Sequence, residues 1–333
     1  MNIHIRGTVE FEKILSEPWR HAIETTRARM AVQQLLDTQE SPTHLETQLQ
    51  NYIVKMDSML HHVSQHHTQP LIEQPLFEWS IGDTIIQTPC WRIETILPRF
   101  ALGMVKDRAV HESISSEQFK QARALCLSQE KLHIACASKI AQWKWKLPHL
   151  NHDVLKVQWH VAKADIYRGM ADLCMLSTGI QKNTASTALF TVAQRGLRHF
   201  ARAVTSWPSD QAKDLMNVAE SLRYYYSSDI LWSKGSYGQS IDRLERWHHT
   251  KLEFGPFSVL KSELGKIPFL CRERRQTNDG AYFDTIKPAT KLADVSELIH
   301  TKESTDIPHP VETPAWDVGD VGELSPPELS ETQ

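Results

Sequence analysis

Glycine is scarce in this sequence, with 13 in 333 residues, and Asn-Gly or Asp-Gly turns flanked by alternating strands are nearly absent. That excludes an all-β sandwich and a dinucleotide-binding sheet with glycine-rich turns. No apolar run approaches the ~20 residues needed to span a bilayer. Residues 1–15 mix charges into their apolar positions and cannot form a signal-peptide core, so a soluble, cytoplasmic chain is expected. The five cysteines (Cys90, Cys126, Cys136, Cys174 and Cys271) are scattered and odd in number, without CxxC or zinc spacing. Buried thiols at helix-core positions are the better reading.

Catalytic signatures are missing too. Gly265-Lys266 lacks the earlier glycine and the following Ser/Thr of a phosphate loop. His111-Glu112 does not continue to a second histidine, and Gly238-Gln239-Ser240 breaks off before completing a nucleophile elbow. No enzymatic activity and no cofactor are expected. His61, His62, His66 and His67 are the only metal-like pattern. His62 and His66 lie one helical turn apart, but only Asp57 is near as a third ligand, so a solvated helix end is preferred and no metal is expected.

What the chain does have is apolar content, 41%, against 23% charged, enough to bury a core. The net charge of −3 hides a division. Residues 276–333 carry 12 Asp/Glu and 3 Lys/Arg; of the totals of 40 and 37, this leaves 28 acidic and 34 basic residues in 1–275. From Glu303 onward there is no Lys or Arg, and Pro308, Pro310, Pro314, Pro326 and Pro327 interrupt any period. Residues 296–333 are therefore expected to be an acidic, Pro-rich tail, extended or disordered, on a mildly basic body of residues 1–295. Trp316 is the one residue in the tail suited to anchor it on a neighbour, against the plainer reading of a solubilising tail.

Helical periodicity dominates the body. Ser41-Pro42 opens a helix whose apolar stripe is Leu45, Leu49, Tyr52, Met56, Leu60 and Val63. Ser115 and Gln118 make a capping box before Phe119, Ala122, Cys126, Leu132, Cys136 and Ile140. Asn151 or Asp153 caps the next helix (Leu155, Val161, Ile166, Met170, Leu173). Asn183 opens another (Leu189, Val192, Ala193, Leu197, Phe200, Val204), and Pro208-Ser209 starts one running through Ala212, Leu215, Ala219 and Leu222 to Tyr224–Tyr226. Long helices on short connections predict an all-α bundle or an α-solenoid of helical hairpins. Phe77 to Trp91, where Phe77, Trp79 and Ile81 alternate, is the one extended stretch, a short hairpin or irregular loop. Ten tryptophans, among them Trp143, Trp145, Trp159, Trp207, Trp232 and Trp247 near helix ends, read as packing anchors in preference to a stacking platform. Arg195, Arg198 and Arg202 form a basic stripe, with Lys144 and Lys146 before it. Such a stripe holds phosphate or is simply a solvated face. No RNA-recognition or basic-zipper signature accompanies it, and nucleic acid is not expected as a partner.

The order of local features resembles the Bro-one domain family, the boomerang-shaped helical domain of endosomal adaptors such as Alix and rhophilin. The matching stretches begin with Tyr52-Ile-Val-Lys-Met-Asp-Ser-Met-Leu60, Phe77-Glu-Trp79 and Trp91-Arg-Ile-Glu94-Thr-Ile-Leu-Pro-Arg-Phe100. They continue with the alanine pattern after Ser115, Val161-Ala162-Lys163-Ala164, Tyr237-Gly238-Gln-Ser-Ile241-Asp-Arg243-Leu244 and Asn278-Asp279-Gly-Ala-Tyr282-Phe-Asp-Thr-Ile-Lys-Pro288. They span about residues 45–295. The resemblance implies a tetratricopeptide-like α-solenoid without enzymatic activity. Such a domain docks an amphipathic helix of an ESCRT-III subunit in a concave apolar groove, and its basic convex face gives weak contact with anionic membrane.

The resemblance places the groove on a helix pair spanning about 154–176 and 183–205. An aromatic position of the family falls near Arg168-Gly169, with Tyr167 as the substitute; a second apolar position falls on Leu189, with Val192 one turn on. Lys163-Ala164-Asp165-Ile166 stands where members usually read Gln-Ala-Gln-Glu, and the region before Pro42 is compressed. No coiled-coil domain is expected to follow, and the final Glu-Thr-Gln is not a prenylation box. A scaffold in endosomal, membrane-remodelling work is thus the first expectation. The alternative is a structural subunit of a cytoskeletal or organellar assembly that reuses the fold.

Overall fold

A computed structural model describes residues 3–7, 9–11, 20–38, 42–65, 76–81, 84–88, 90–142, 152–246 and 252–286. They fall into two compact units, and the chain passes from one to the other between Pro98 and Arg99.

The first unit contains β1 (Ile3–Arg6), α1 (Arg20–Thr38), α2 (Pro42–Gln65), β2 (Phe77–Ile81), β3 (Thr84–Thr88) and the start of α3 (Trp91–Ser115). The strands form an antiparallel sheet in the order β1-β2-β3. Ile5 is opposite Trp79 and Trp79 opposite Ile86, so three buried side chains share one face, as the two-residue period of a strand requires. The expected hairpin is present as β2–β3. The N-terminal strand extends it to three strands, which four residues alternating with His4 and Arg6 did not announce. On α2, which packs on α1, Leu49, Tyr52 and Met56 of the expected stripe are buried together with Met59, while Leu45 and Leu60 are half-buried. The proposed cap Ser41 lies outside the described residues.

A buried carboxylate ties this unit together. Glu94, at the start of α3, has no solvent exposure. It accepts the Tyr52 hydroxyl on Oε1 at 2.5 Å, the Trp79 indole N–H on Oε2 at 2.6 Å and the Arg29 Nε–H on Oε1 at 3.2 Å. Arg29 also donates to the Gly7 carbonyl at 3.0 Å. Burial pushes the Glu94 carboxyl upward, while Arg29, Tyr52 and Trp79 pull against that shift. Three of the sequence stretches quoted above, contributing Tyr52, Trp79 and Glu94, therefore meet at one side chain.

The second unit contains the rest of α3, α4 (Phe119–Ala141), α5 (Val157–Gln181), α6 (Ser186–Ser206), α7 (Asp210–Ser233), α8 (Tyr237–Glu245), α9 (Ser258–Leu264) and α10 (Ile267–Thr277). Each of α4 to α7 packs on the next in chain order, the arrangement of an α-solenoid. One core runs through them, including Cys126, Ile166, Met170, Leu173, Phe190, Phe200, Leu215 and Leu222. Cys126, Cys136 and Cys174 occupy core positions, whereas Cys90 and Cys271 are half-buried.

Three helix starts differ from expectation. Ser115 is the last residue of α3 and caps nothing. Glu117 adopts a left-handed φ of 57°, and the Glu117 and Gln118 amides return to the Ile114 and Ser113 carbonyls, ending α3 before α4 begins. Asn183 likewise takes a left-handed φ of 51° and terminates α5; α6 starts three residues later behind Ala185. Asp153 lies in a 3-10 turn, and α5 begins at Val157. The same side chains that cap a helix also accept left-handed or turn geometry, so composition marked the boundaries without fixing their polarity. Val161, expected inward, is 38% exposed. The prediction at Ser209 holds: its hydroxyl accepts the Ala212 amide of α7.

Two other quoted stretches meet at the end of the array. The Asp284 carboxylate accepts the Gly238 amide of α8 at 2.8 Å, and Asn278 clamps Asp284 by donating to its carbonyl and accepting its amide. Tyr282 stacks on Tyr237 at 3.8 Å, with Trp232 edge-on to both. A Cβ on Gly238 would be driven into the Thr285 carbonyl oxygen, so only glycine lets residues 278–286 lie on α8. Gly238→Ala is expected to cost about 1–3 kcal/mol by forced displacement of this strap. Hydrogen exchange at 278–286 should accelerate at least tenfold while α5 and α6 keep their protection.

Candidate functional site

The helix pair α5–α6 is the site the sequence pointed to. Close approach of its two helices depends on glycine. A Cβ on Gly169 would meet the Phe200 ring at 2.6 Å, and Gly196 faces the Asp172 Cβ and the Gly169 carbonyl. The missing aromatic near Arg168-Gly169 thus has a physical reason: Phe200 from α6 fills the space beside Gly169.

Tyr167 and Leu189 are both buried in the core of the unit. The Tyr167 ring stacks on His133 of α4 at 5.5 Å, and its hydroxyl donates to Asp107 at 2.7 Å. Burial first, then Asp107, pushes the Tyr167 hydroxyl well above its usual range. Leu189 packs at the first turn of α6 close to Gly179, where an added Cβ would touch it. Val192 is half-buried and packed against the core. These two buried residues shape the helix pair from within, and Val192 is the member of the three with surface to offer.

Two of the three arginines of the stripe face carboxylates. Arg195 makes a bidentate ion pair with Asp172 of α5, at 2.6–3.0 Å, which raises its pKa. Arg202 donates to Asp165 of α5 at 2.8 Å, and His199 meets the same carboxylate at 3.1 Å. Arg168 pairs with Glu130 of α4 at 3.1 Å. The sequence spacing aligned Arg195, Arg198 and Arg202 but could not show that Asp165 and Asp172, seven residues apart on α5, face two of them. Together these pairs form a ladder of alternating sign across α4, α5 and α6. Its arginine side chains remain 41–48% exposed. Arg198 is exposed on the same helix.

Of the remaining candidates, Lys144, Lys146, Trp143, Trp145, Trp247 and the tail with Trp316 lie outside the described residues, as do His66, His67 and the side chain of His62. Trp159 packs edge-on against Phe100 at 5.8 Å and His133 at 5.6 Å, and Trp207 lies under the Lys156 ammonium at 5.0 Å. Among the described residues no group of three or more His, Cys, Asp or Glu could hold a metal ion, and no helix is long and apolar enough to cross a membrane. A shallow groove of about 380 Å³ runs between Glu117, Ile180, Val259, Glu263 and Lys266. Sequence reasoning missed the His133–His160 contact between α4 and α5, a 2.9 Å bond between the two Nδ1 atoms. No spacing signal connects residues on different helices.

Fold and face together define a class: a helical solenoid whose α5–α6 pair carries a ladder of charged side chains. The sequence matches no protein-family model and no curated protein. Solved structures are similar at the level of the fold. The chain aligns with ALIX in complex with the SIVmac239 PYKEVTEDL late domain at TM-score 0.69 and 13% identity, covering 86% of this chain and 45% of that one. It aligns with an ALIX BRO1–CHMP4C complex at TM-score 0.66 and 12% identity, over 86% and 89% of the two chains. A structure described as the basis for endosomal targeting by the Bro1 domain matches at 0.66 and 12%, over 88% of each. The fold is that of the Bro1 domain, as the sequence resemblance implied. The chain spans less than half the length of the ALIX chain in the first of these structures.

Proposed function

We propose that this chain is a non-enzymatic scaffold that receives an amphipathic helix of an ESCRT-III subunit on the exposed side of α5 and α6. The observation that supports the reading is the fold match over nearly the whole length of a domain solved with CHMP4C bound. Helix-in-groove binding rests on a few anchors. Here Val192 supplies apolar contact, Arg168, Arg195 and Arg202 supply a charged rim, and Tyr167 and Leu189 hold the helix pair in shape from inside. Action at an endosomal membrane from the cytoplasm follows from that partner.

Titration of the full-length protein with a CHMP4C C-terminal peptide tests this. Saturable binding is expected, weakened at least tenfold by Val192→Asp. Arg168→Glu should change the salt dependence more than the affinity, because a rim charge acts mainly on encounter. Absence of binding, or binding indifferent to Val192→Asp, removes this face from consideration.

One observation favours the second reading, a building block of a larger assembly. The charged ladder stands where an apolar groove would be, so the face suits a permanent polar interface as well as a transient helix. Fractionation separates the two: a complex that survives about 0.5 M salt supports the assembly, and a free pool supports the adaptor.

A further inference from the structure

Helix α4 turns Phe119, Ala122, Cys126, Gln129, His133, Cys136 and Ile140 into the core. On another side, at ~100° per residue, Lys120, Arg123, Lys131 and Ile134 fall within an arc of about 80°. Lys120, Arg123 and Lys131 are exposed, and no described carboxylate forms an ion pair with any of them. The only acid on that helix, Glu130, is committed to Arg168. Ile134 is 46% exposed in the middle of these cations. Among the described residues α4 therefore carries a cluster of unopposed cations, whereas on α6 Arg195 and Arg202 already face carboxylates.

The chain itself contains a complement to this surface. Residues 303–333 carry Glu303, Asp306, Glu312, Asp317, Asp320, Glu323, Glu328 and Glu331, with no Lys or Arg, and they interleave Val311, Trp316, Val318 and Val321 among them. Their prolines favour an extended chain, which can lay carboxylates and apolar side chains along one helix. The described body ends at Ile286, so residues 287–302 serve as the connection. A random coil of that length spans about 22 Å root-mean-square, rising to about 32 Å by Asp320. Four helix spacings of 8–10 Å, from α8 back to α4, amount to at most about 36 Å.

We propose that residues 303–333 dock on the solvent face of α4. Their carboxylates lie against Lys120, Arg123 and Lys131, and Trp316 covers Ile134. The contact is intramolecular and electrostatic in range, so it is closed at low ionic strength and opens as salt shortens the screening length.

Carbodiimide cross-linking of the full-length protein at low salt tests this, using an equal mixture of unlabelled and nitrogen-15-labelled chains read by mass spectrometry. Lys120 and Lys131 are expected to join to acids between Glu303 and Glu331, within one chain. The yield should fall at least threefold in 0.5 M salt. It should fall as much in Arg123→Glu/Ile134→Asp, which keeps both reactive lysines and alters only exposed positions; an unchanged thermal midpoint confirms that this variant is folded. Tail acids joined chiefly to Lys182 or Lys261, cross-links of mixed isotope, or a yield indifferent to salt and to the variant would each overturn the proposal. Mixed isotope would assign the tail to a second copy.

Discussion

Replacing Glu94 by alanine is expected to unfold the first unit under mild conditions, with a loss of about 3–5 kcal/mol. The carboxylate has no exposure and holds the Arg29 guanidinium, itself buried, together with the Tyr52 hydroxyl and the Trp79 indole. Removing it leaves a buried cation without its counter-charge and two buried donors without an acceptor, and each such loss costs more than the intact bond contributes. Glu94→Gln keeps the volume and isolates the charge, so it should lose most of the same amount. Tyr52→Phe removes one donor and should lose only about 1–2 kcal/mol. Since an ion pair can be replaced by well-packed apolar side chains, Arg29→Met/Glu94→Leu should recover a large part of the loss. Hydrogen exchange locates the effect: protection should collapse in β1–β3 and α2 and persist in α5–α7. A loss below about 1 kcal/mol for Glu94→Ala would mean that the carboxylate is not what organises this unit.

The second unit is expected to lose stability between pH 6.5 and about 4, through His133 and His160. The His160 Nε2–H donates to the Val154 carbonyl at 2.8 Å, and a carbonyl can only accept, so His160 Nδ1 carries the lone pair. His133 Nδ1–H donates to it at 2.9 Å. Both rings are buried and neutral, with His133 between the Tyr167 face and the Trp159 edge. A proton on His160 would set two N–H groups against each other and bury a charge. Burial is the main cause of the lowered pKa of both rings, and it brings His160 from 6.5 to about 4; the His160 ring and then the nearby Lys163 ammonium depress His133 further.

Unfolded, the chain takes up these protons at the ordinary pKa; folded, it resists them. Between 6.5 and about 4 the unfolded state therefore binds more protons. The stabilisation is complete above pH 6.5 and drains away as pH falls through that window. For His160 alone this is about 3 kcal/mol. Urea unfolding at pH 7.5 and pH 4.5 measures it. His160→Gln can make the same two hydrogen bonds without titrating, and it should remove the His160 share, about half of the difference. If the wild-type stability at the two pH values agrees within about 1 kcal/mol, the histidine pair is not pH-sensitive.

Much of the architecture was legible in the residues. Apolar spacings of three and four marked α2 and α4 to α7, because the period of a helix is local and survives in any window of the chain. Alternation at Phe77, Trp79 and Ile81 marked a strand for the same reason. The short stretches that resemble the Bro-one family were visible one by one. Their meaning was not: only the folded chain shows that Tyr52, Trp79 and Glu94 share one buried carboxylate, or that Gly238 is glycine because the Thr285 carbonyl lies against it.

The candidate site shows the same limit more sharply. Sequence alone aligned Arg195 with Arg202 and read a positive stripe, and it placed Tyr167 and Leu189 as anchors on a groove. Tertiary structure neutralised two of those arginines with Asp172 and Asp165 and put the two apolar side chains inside. Helical periodicity determines which residues share a face of one helix, because that geometry is set by the backbone turn. Which faces meet is decided by packing between helices distant in the chain, through contacts no local pattern encodes. So the sequence by itself determined that this protein is an array of amphipathic helices followed by an acidic segment. Only the tertiary structure decided which of its charges are already paired and which remain to meet a partner.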